Sequence, residues 1–240
     1  MKAIIFAAGK GTRLKPLTDN TPKALIKAGN KPLLEHVITK LKHSGVTSIV
    51  INIHYLGHQI VQYLQENDNF GIEIRISDER SLLLDTGGGL VKAAPFFDKD
   101  EDFIAYNVDI LSDIDLTDMM AFHKKNGSLA TLAVKARKTS RYFLFDKEMQ
   151  LQGWQNTHTS ETICHTPKEI NVKPLAFSGI HIINSRLFDF ITERGVFSIT
   201  PLYINLSQKH KITGYRHDYT AWYDIGRIDT LKEAEAFFRL

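Results

Sequence analysis

The sequence predicts an α/β fold, a central sheet covered by helices on both faces, from three observations. Short apolar or β-branched runs alternate with segments of helical period through the first half of the chain. The first run ends in a glycine-rich turn, AAGKGTR at residues 7–13, and such a turn can aim successive backbone N–H groups at an anion. Finally, 240 residues with 43% hydrophobic content can bury the core of one such domain and are too apolar for a disordered chain.

Taken in order, residues 2–8 are a short continuous apolar run and read as a buried strand. Residues 32–44 carry Leu33, Val37 and Leu41 at helical spacing and stop near Gly45. Ser48–Ile53 is a β-branched strand, and Gly57–Glu66 a helix with Ile60, Val61 and Leu64 on one side. GIEIRIS at 71–77 alternates as a half-buried strand does. A short helix at 88–97, a strand at 103–109, a helix at 115–125 and a strand at 129–135 continue the βαβ rhythm. In the second half, 143–154 reads as a hairpin turning at 146–149, and 176–184 as a strand. Helices are expected at 185–194 and 200–209, strands at 212–215 and 221–225, and an amphipathic helix at 229–240. Residues 156–173 are polar and aperiodic, so a long loop over the sheet is expected there, of a length typical of lids. No repeat or linker divides the chain, and one domain over 1–240 is the expectation.

Thirty basic residues against 27 acidic ones leave a net charge of +3, too balanced for a nucleic-acid binder on charge alone. Cys164 is the single cysteine, which rules out an internal disulfide and fits a reducing, cytoplasmic compartment. The apolar stretch before the turn is too short for a secretory signal, and no run approaches the ~18 apolar residues of a membrane span.

The opening turn matches neither of two familiar phosphate loops. The dinucleotide fingerprint fails because Gly9-Lys10-Gly11-Thr12-Arg13 continues with Leu14, and Ile51-Asn52-Ile53-His54 lacks the acidic residue expected after the second strand. The Walker pattern fails because Gly11 follows Lys10 and no glycine lies five positions before Gly9. An ordinary strand-to-loop turn stays open on the glycines alone. Arg13 and then Lys23, the latter behind the rigid Thr21-Pro22, add a guanidinium fork and a point charge suited to a triphosphate.

Ala8-Gly9-Lys10-Gly11-Thr12-Arg13 followed by Pro22-Lys23 resembles the opening motif of the sugar-1-phosphate nucleotidylyltransferases. The likeness continues in family order. It takes in Lys31-Pro32-Leu33-Leu34-Glu35, Asp85-Thr86-Gly87-Gly88-Gly89, Tyr106-Asn107-Val108-Asp109, Phe177-Ser178-Gly179-Ile180 and Trp222-Tyr223-Asp224-Ile225-Gly226. The resemblance implies a Rossmann-like three-layer sandwich with a mixed, mostly parallel central sheet. It implies that a nucleoside triphosphate and a sugar 1-phosphate are joined with release of pyrophosphate, and that Mg²⁺ is the cofactor. By the same resemblance Arg13 and Lys23 are catalytic, and Ala8, Gly9, Gly11, Thr12, Thr86, Gly87 and Gly88 join them in holding the nucleotide. Asn107 and Gly179 bind the sugar, and Asp109 and Asp224 hold the metal. The three glycines after Thr86 are expected against the flat base.

Two departures bear on the sugar. Val108 stands where relatives usually have glycine, which narrows the site. The region Glu169-Ile170-Asn171-Val172-Lys173-Pro174 replaces the Val-Glu-Lys-Pro run of many relatives, so no sugar-binding lysine carries over. Ala7-Ala8-Gly9 and Leu84-Asp85-Thr86-Gly87-Gly88-Gly89 look most like the N-acetylmuramate-1-phosphate uridylyltransferases, with UTP as donor. Relatives using mannose or heptose 1-phosphate with GTP, or phosphocholine with CTP, share the frame. So would a non-catalytic nucleotide-sugar-binding module. No C-terminal left-handed β-helix, no nucleic-acid or membrane partner, and a monomer or simple homodimer are expected.

Overall fold

The computed structural model of the chain describes residues 1–166 and 171–238. From the N-terminus, β1 (Lys2–Phe6) leads through the glycine turn to a small hairpin, β2 (Lys27–Ala28) and β3 (Lys31–Pro32). Then come α1 (Leu33–His43), β4 (Ser48–Ile53), α2 (Gly57–Glu66), β5 (Glu73–Asp78), α3 (Asp85–Ala93) and β6 (Asp102–Asn107). They are followed by β7 (Ile110–Ser112), α4 (Leu116–Asn126), β8 (Ala130–Lys135), β9 (Arg141–Phe145), β10 (Leu151–Asn156) and β11 (Glu161–Cys164). The long β12 (Lys173–Asn184), α5 (Ile199–Ser207), β13 (Ile212–Arg216), β14 (Trp222–Asp224) and α6 (Ile228–Phe238) complete the order.

The central sheet runs β5-β4-β1-β6-β12-β8-β13, and every neighbour pair is parallel except the two that β12 makes. This is the mixed, mostly parallel arrangement expected. Alternation along β1 explains the layers. Ala3 and Ile5 face one core with α1, α2 and α4, whereas Ile4 and Phe6 face a second core with α3 and α5. Both faces of these strands are buried, which is why they read as unbroken apolar runs. Helix ends follow local chemistry. The Asp115 side chain accepts from the N–H groups of Thr117 and Asp118 at 2.8 and 2.9 Å, and Gly127 at φ 57° ends α4.

One strand joins the two halves of the molecule. β12 pairs with β6 and β8 through its C-terminal part and with β9 through Lys173, Pro174 and Leu175. The β8 register breaks between Phe177 and His181, where Gly179 takes φ 74°. Carbonyls at the break bond elsewhere: Phe177 O accepts from Arg137, and Ser178 O from the Trp222 indole at 2.9 Å.

Three local expectations are corrected. Asp85 to Gly89 is the first part of α3 rather than a loop ahead of a helix at 88–97. The polar stretch 156–173 contains β11, an antiparallel partner of β10, because Gly153 lets the Ile163 carbonyl approach where a Cβ would lie 2.0 Å from it. Every residue of β11 is exposed, so no apolar period marks it, and residues 167–170 of that stretch lie outside the described residues, Glu169 and Ile170 among them. At 185–194 the chain forms only the 3₁₀ turn Ser185–Phe190, capped by the Asn184 side chain. The final helix spans Ile228–Phe238, and the expected residues 239 and 240 lie outside the described ones. Among the described residues no helix is long and apolar enough to cross a membrane.

Two histidines near the β12 bend are buried in neutral form. Burial pushes His181, bonded to the Tyr203 hydroxyl at 2.6 Å, down to about 3. Burial, then Lys135, pushes His217, bonded to Ser178 Oγ at 2.7 Å, down to about 4. Both lie below the value of ~6.5 expected in the unfolded chain, so the unfolded state takes up protons first as pH falls. Their contribution is complete above that value and is lost on the way down to the folded ones. Urea unfolding at pH 7 and pH 5 should therefore show a loss of about 2 kcal/mol for each histidine. A His181→Gln variant should lose less over the same interval than the parent, and equal losses would contradict the assignment.

Candidate active site

The glycine turn is held open by a buried polar pair. Asn52, the one polar side chain inside β4 apart from Ser48, accepts from the N–H groups of Ala7 and Ala8 at 2.6 and 3.2 Å. Its amide donates to Glu79 Oε1 at 2.8 Å, and Glu79 Oε2 accepts from Leu84 N–H at 3.1 Å. The Ala8 amide is thus already satisfied, and the donors free to meet a ligand lie further along the turn. Gly11 takes φ 65°, and a Cβ there would lie 2.9 Å from the Thr18 methyl and 3.0 Å from Lys23 Cβ, so only glycine fits. Gly9 faces open space. The turn lines a cleft of about 520 Å³ together with Thr12, Arg13, Lys23, Thr86, Asn107 and Asp109.

The carboxylates meet at the end of the sheet. Asp109 lies in the turn between β6 and β7, after Val108 N–H has extended the β1 ladder to Phe6 O at 3.1 Å. β14 runs antiparallel to β7 with Asp224 opposite Ile110, and Ile225 N–H donates to Asp109 O at 2.8 Å. The ladder therefore sets the two aspartates side by side. The Lys23 ammonium, almost fully buried, pairs with Asp109 Oδ2. Arg13 approaches from the turn: a Cβ at Gly226 would lie 2.8 Å from both Arg13 Nη2 and Asp224 Oδ1. Burial, then the charge of Asp109, raises the Asp224 carboxyl above its ordinary value, and Lys23, Arg13 and Arg137 oppose the rise.

This geometry fits a divalent cation. Asp224 Oδ1 is sealed from solvent and has no hydrogen-bond partner, an orphaned acceptor next to a second carboxylate. Among the described residues no three His, Cys, Asp or Glu side chains gather as a metal site. Two carboxylates completed by substrate phosphates and water are what Mg²⁺ accepts.

The other sequence-derived residues divide. Thr86 and Asn107 line the cleft. Gly179 sits beside it, with a Cβ position 2.9 Å from Asn107 Nδ2. Gly87 and Gly88 face the protein instead. Their N–H groups donate to Phe197 O at 2.9 and 3.2 Å, and Cβ atoms there would lie 2.4 Å from the Phe197 ring and 2.2 Å from Gly195 O. These contacts pack α3 closely, and among the described residues neither Gly87 nor Gly88 lines the cleft. Val108 is 4% exposed and belongs to the core as well as the cleft wall. Its side chain is structural support and not merely an obstruction.

Reasoning from the sequence missed Asn52 and Glu79, although an amide inside the otherwise apolar strand SIVINI was a visible signal. It also missed a second cavity of about 560 Å³, which Asp224 lines. Arg137, Tyr142, Trp154, Phe177 and Thr200 are among the residues that line it.

The fold is that of the nucleotide-sugar pyrophosphorylases. The structure of UDP-glucose pyrophosphorylase with UDP-glucose superposes with a TM-score of 0.79 at 17% identity, covering 99% of this chain and 98% of that one. The UDP-glucose pyrophosphorylase from Acinetobacter baumanii gives a TM-score of 0.80 at 16% identity, with 99% and 92% covered. Residues 2–239 match the Nucleotidyl transferase family, and the chain belongs to it. It is 32% identical to the N-acetylmuramate alpha-1-phosphate uridylyltransferase of Neisseria meningitidis serogroup B, over 98% of this chain and 97% of that protein. It is 33% identical to the mannose-1-phosphate guanyltransferase of Gibberella zeae and 32% identical to the UTP–glucose-1-phosphate uridylyltransferase of Synechocystis. It covers 81% and 80% of its own length in these two matches but only 52% and 51% of theirs, spanning about half of each relative.

Two expectations follow. The fold disfavours the ionised form of Asp224, so this destabilisation is absent well below its unfolded value and complete above the raised folded one. At pH 7 without divalent ions, Asp224→Asn should melt at or above the wild-type temperature. Mg²⁺ with a nucleoside triphosphate should raise wild-type melting by several degrees and the variant's far less. A variant that melts well below wild type, or gains as much from Mg²⁺, would remove Asp224 from the metal site. Val108→Ala should cost about 1–3 kcal/mol in denaturant unfolding. A neutral result would show that the side chain is not packed as described.

Proposed function

We propose that the protein transfers a nucleotidyl group from a nucleoside triphosphate to a sugar 1-phosphate and releases pyrophosphate, with Mg²⁺ as cofactor. UTP is the favoured donor and N-acetylmuramate 1-phosphate, or a similar hexose derivative, the favoured acceptor. The observation that carries the reaction class is the convergence of Arg13, Lys23, Asp109 and Asp224 at one end of the sheet. Near full-length similarity to the Neisseria uridylyltransferase supports the choice of base and sugar.

The chemistry asks for charge neutralisation more than for proton transfer. A sugar phosphate has a second pKa near ~6 and is mostly a dianion at neutral pH, so it attacks without a general base. One of its oxygens bonds to the α-phosphorus, the bond from that phosphorus to the bridging oxygen breaks, and pyrophosphate leaves with the electron pair. Repulsion between dianion and polyphosphate is the barrier to lower. N–H groups of the turn beyond Ala8 hold the triphosphate, and Arg13 faces its outer phosphates. Lys23, fixed beside Asp109, meets charge growing at the α-phosphate. Mg²⁺ held by Asp109 and Asp224 supplies the additional positive charge when bound. The second cavity, which Asp224 also lines, takes the acceptor sugar.

Pyrophosphate release across the four nucleoside triphosphates and a panel of sugar 1-phosphates, with Mg²⁺ or EDTA, tests this reading. Turnover should be greatest with UTP and N-acetylmuramate 1-phosphate and absent in EDTA. Arg13→Gln and Lys23→Met should each lower it by about 10²–10³-fold. Silence in every combination with tight nucleotide binding retained would identify a binding module instead.

A further inference from the structure

The second cavity holds a guanidinium whose needs the protein leaves unmet. Arg137 is half-buried, and its plane is set on two sides. The guanidinium carbon stands 4.2 Å from the centre of the Trp222 ring, and Nη2 donates to Phe177 O at 2.8 Å. The Trp222 indole is itself fixed by its bond to Ser178 O at 2.9 Å. Ser178 lies within the β12 register break, and Phe177 is the last residue paired with β8 before it. The fork is therefore pre-oriented by the fold.

Among the described residues, Phe177 O is its single hydrogen-bond acceptor, Nε is buried with no partner, and no carboxylate lies within ion-pair distance. Burial lowers the basicity of Arg137, and Asp224 is the acidic group that offsets this most. Once Asp224 is committed to a cation, that compensation is gone. A positive charge held partly out of water, with a neutral carbonyl as its one hydrogen-bond acceptor, is costly unless an anion joins it. Arg141 lines the same cavity on β9, and among the described residues Glu161 on β11 is the one acidic lining residue besides Asp224. Aromatic side chains, Tyr142, Trp154 and Phe177 among them, supply walls for the apolar faces of a sugar ring.

The geometry points to an acceptor that carries a second compact oxyanion, a carboxylate or phosphate away from its 1-phosphate, with Arg137 as the residue that reads it. This inference rests on the acceptor reading of the cavity given above. The attacking phosphate belongs at Asp109, Asp224 and Lys23, so a second anion in the same molecule would be the one left to meet Arg137. A planar guanidinium offers a carboxylate two parallel N–H bonds, whereas a neutral hydroxyl or acetamido group at that position leaves the charge unpaired.

The test is equilibrium binding by calorimetry, which does not require turnover, with the enzyme saturated by Mg²⁺ and a non-hydrolysable UTP analogue. Three acceptors serve as probes. N-acetylmuramate 1-phosphate carries a ring-linked carboxylate, glucose 1,6-bisphosphate a second phosphate, and N-acetylglucosamine 1-phosphate neither. Wild-type protein should bind one of the two doubly anionic probes about 10–100-fold more tightly than N-acetylglucosamine 1-phosphate, and which of them wins identifies the oxyanion. In Arg137→Gln that ratio should fall to within about threefold of unity, and Arg137→Lys should restore part of it. Equal binding of all three probes by wild type would overturn the inference. So would a ratio preserved in Arg137→Gln while every Kd rises together, which would place Arg137 on the shared 1-phosphate or in packing alone. Failure of the broader reading looks different: no sugar phosphate binds the nucleotide-loaded wild-type protein, and the inference falls with it.

Discussion

Two carboxylates are held closer together than their charges favour, and the rest of the site is arranged around that constraint. The antiparallel contact of β14 with β7, closed by the Ile225 N–H to Asp109 O bond, leaves Asp224 no route away from Asp109. Lys23 neutralises one carboxylate. The other keeps an acceptor atom sealed from water without a partner, and burial together with the charge of Asp109 raises its carboxyl above the ordinary value. On the proposed reading, the cation that relieves this strain is brought in with the substrate.

The sheet explains how such distant residues meet. β1 and β6 are parallel neighbours, with Phe6 opposite Asn107, so the glycine turn and the Asp109 turn leave the sheet at the same edge. β12 then crosses beside β6 in the opposite direction, and its bend at Gly179 presents carbonyls to Arg137 and Trp222. The cleft and the second cavity both border this junction, the first through Asn107 and Asp109 and the second through Phe177 and Asp224. Asn52 and Glu79 brace the cleft side from within the core, holding the start of the glycine turn while contributing to the cleft wall.

Much of this was legible from residues alone. β1 and β4 are buried on both faces, β1 reading as a continuous apolar run and β4 as a β-branched one interrupted by Asn52, and α1 and α2 carry their period openly. Other parts were hidden for physical reasons. β11 is exposed on both faces, so its composition carries no period. Three successive glycines suggest a loop by propensity, yet here Gly87 and Gly88 let α3 press against Phe197 and Gly195, and Gly89 lets it press against Glu79 and Asn52, tertiary contacts that local sequence does not report. Arg13 and Lys23 stood out beside the turn, but the meeting of Asp109 with Asp224 was legible only through family resemblance, because pairing of short strands far apart in the chain leaves no local mark. Arg137 gave no signal at all; its meaning comes from the bend in β12 and the ring of Trp222.

The central claim is that Asp109 and Asp224 share one divalent ion. A crystal structure with a non-hydrolysable nucleotide and Mn²⁺ in place of Mg²⁺ tests it through the anomalous signal. A single strong peak is expected about 2.0–2.5 Å from a carboxylate oxygen of each aspartate, with phosphate oxygens completing the shell. A peak bound by only one of them, or one lying on the far side of Lys23 from Asp224, would contradict it.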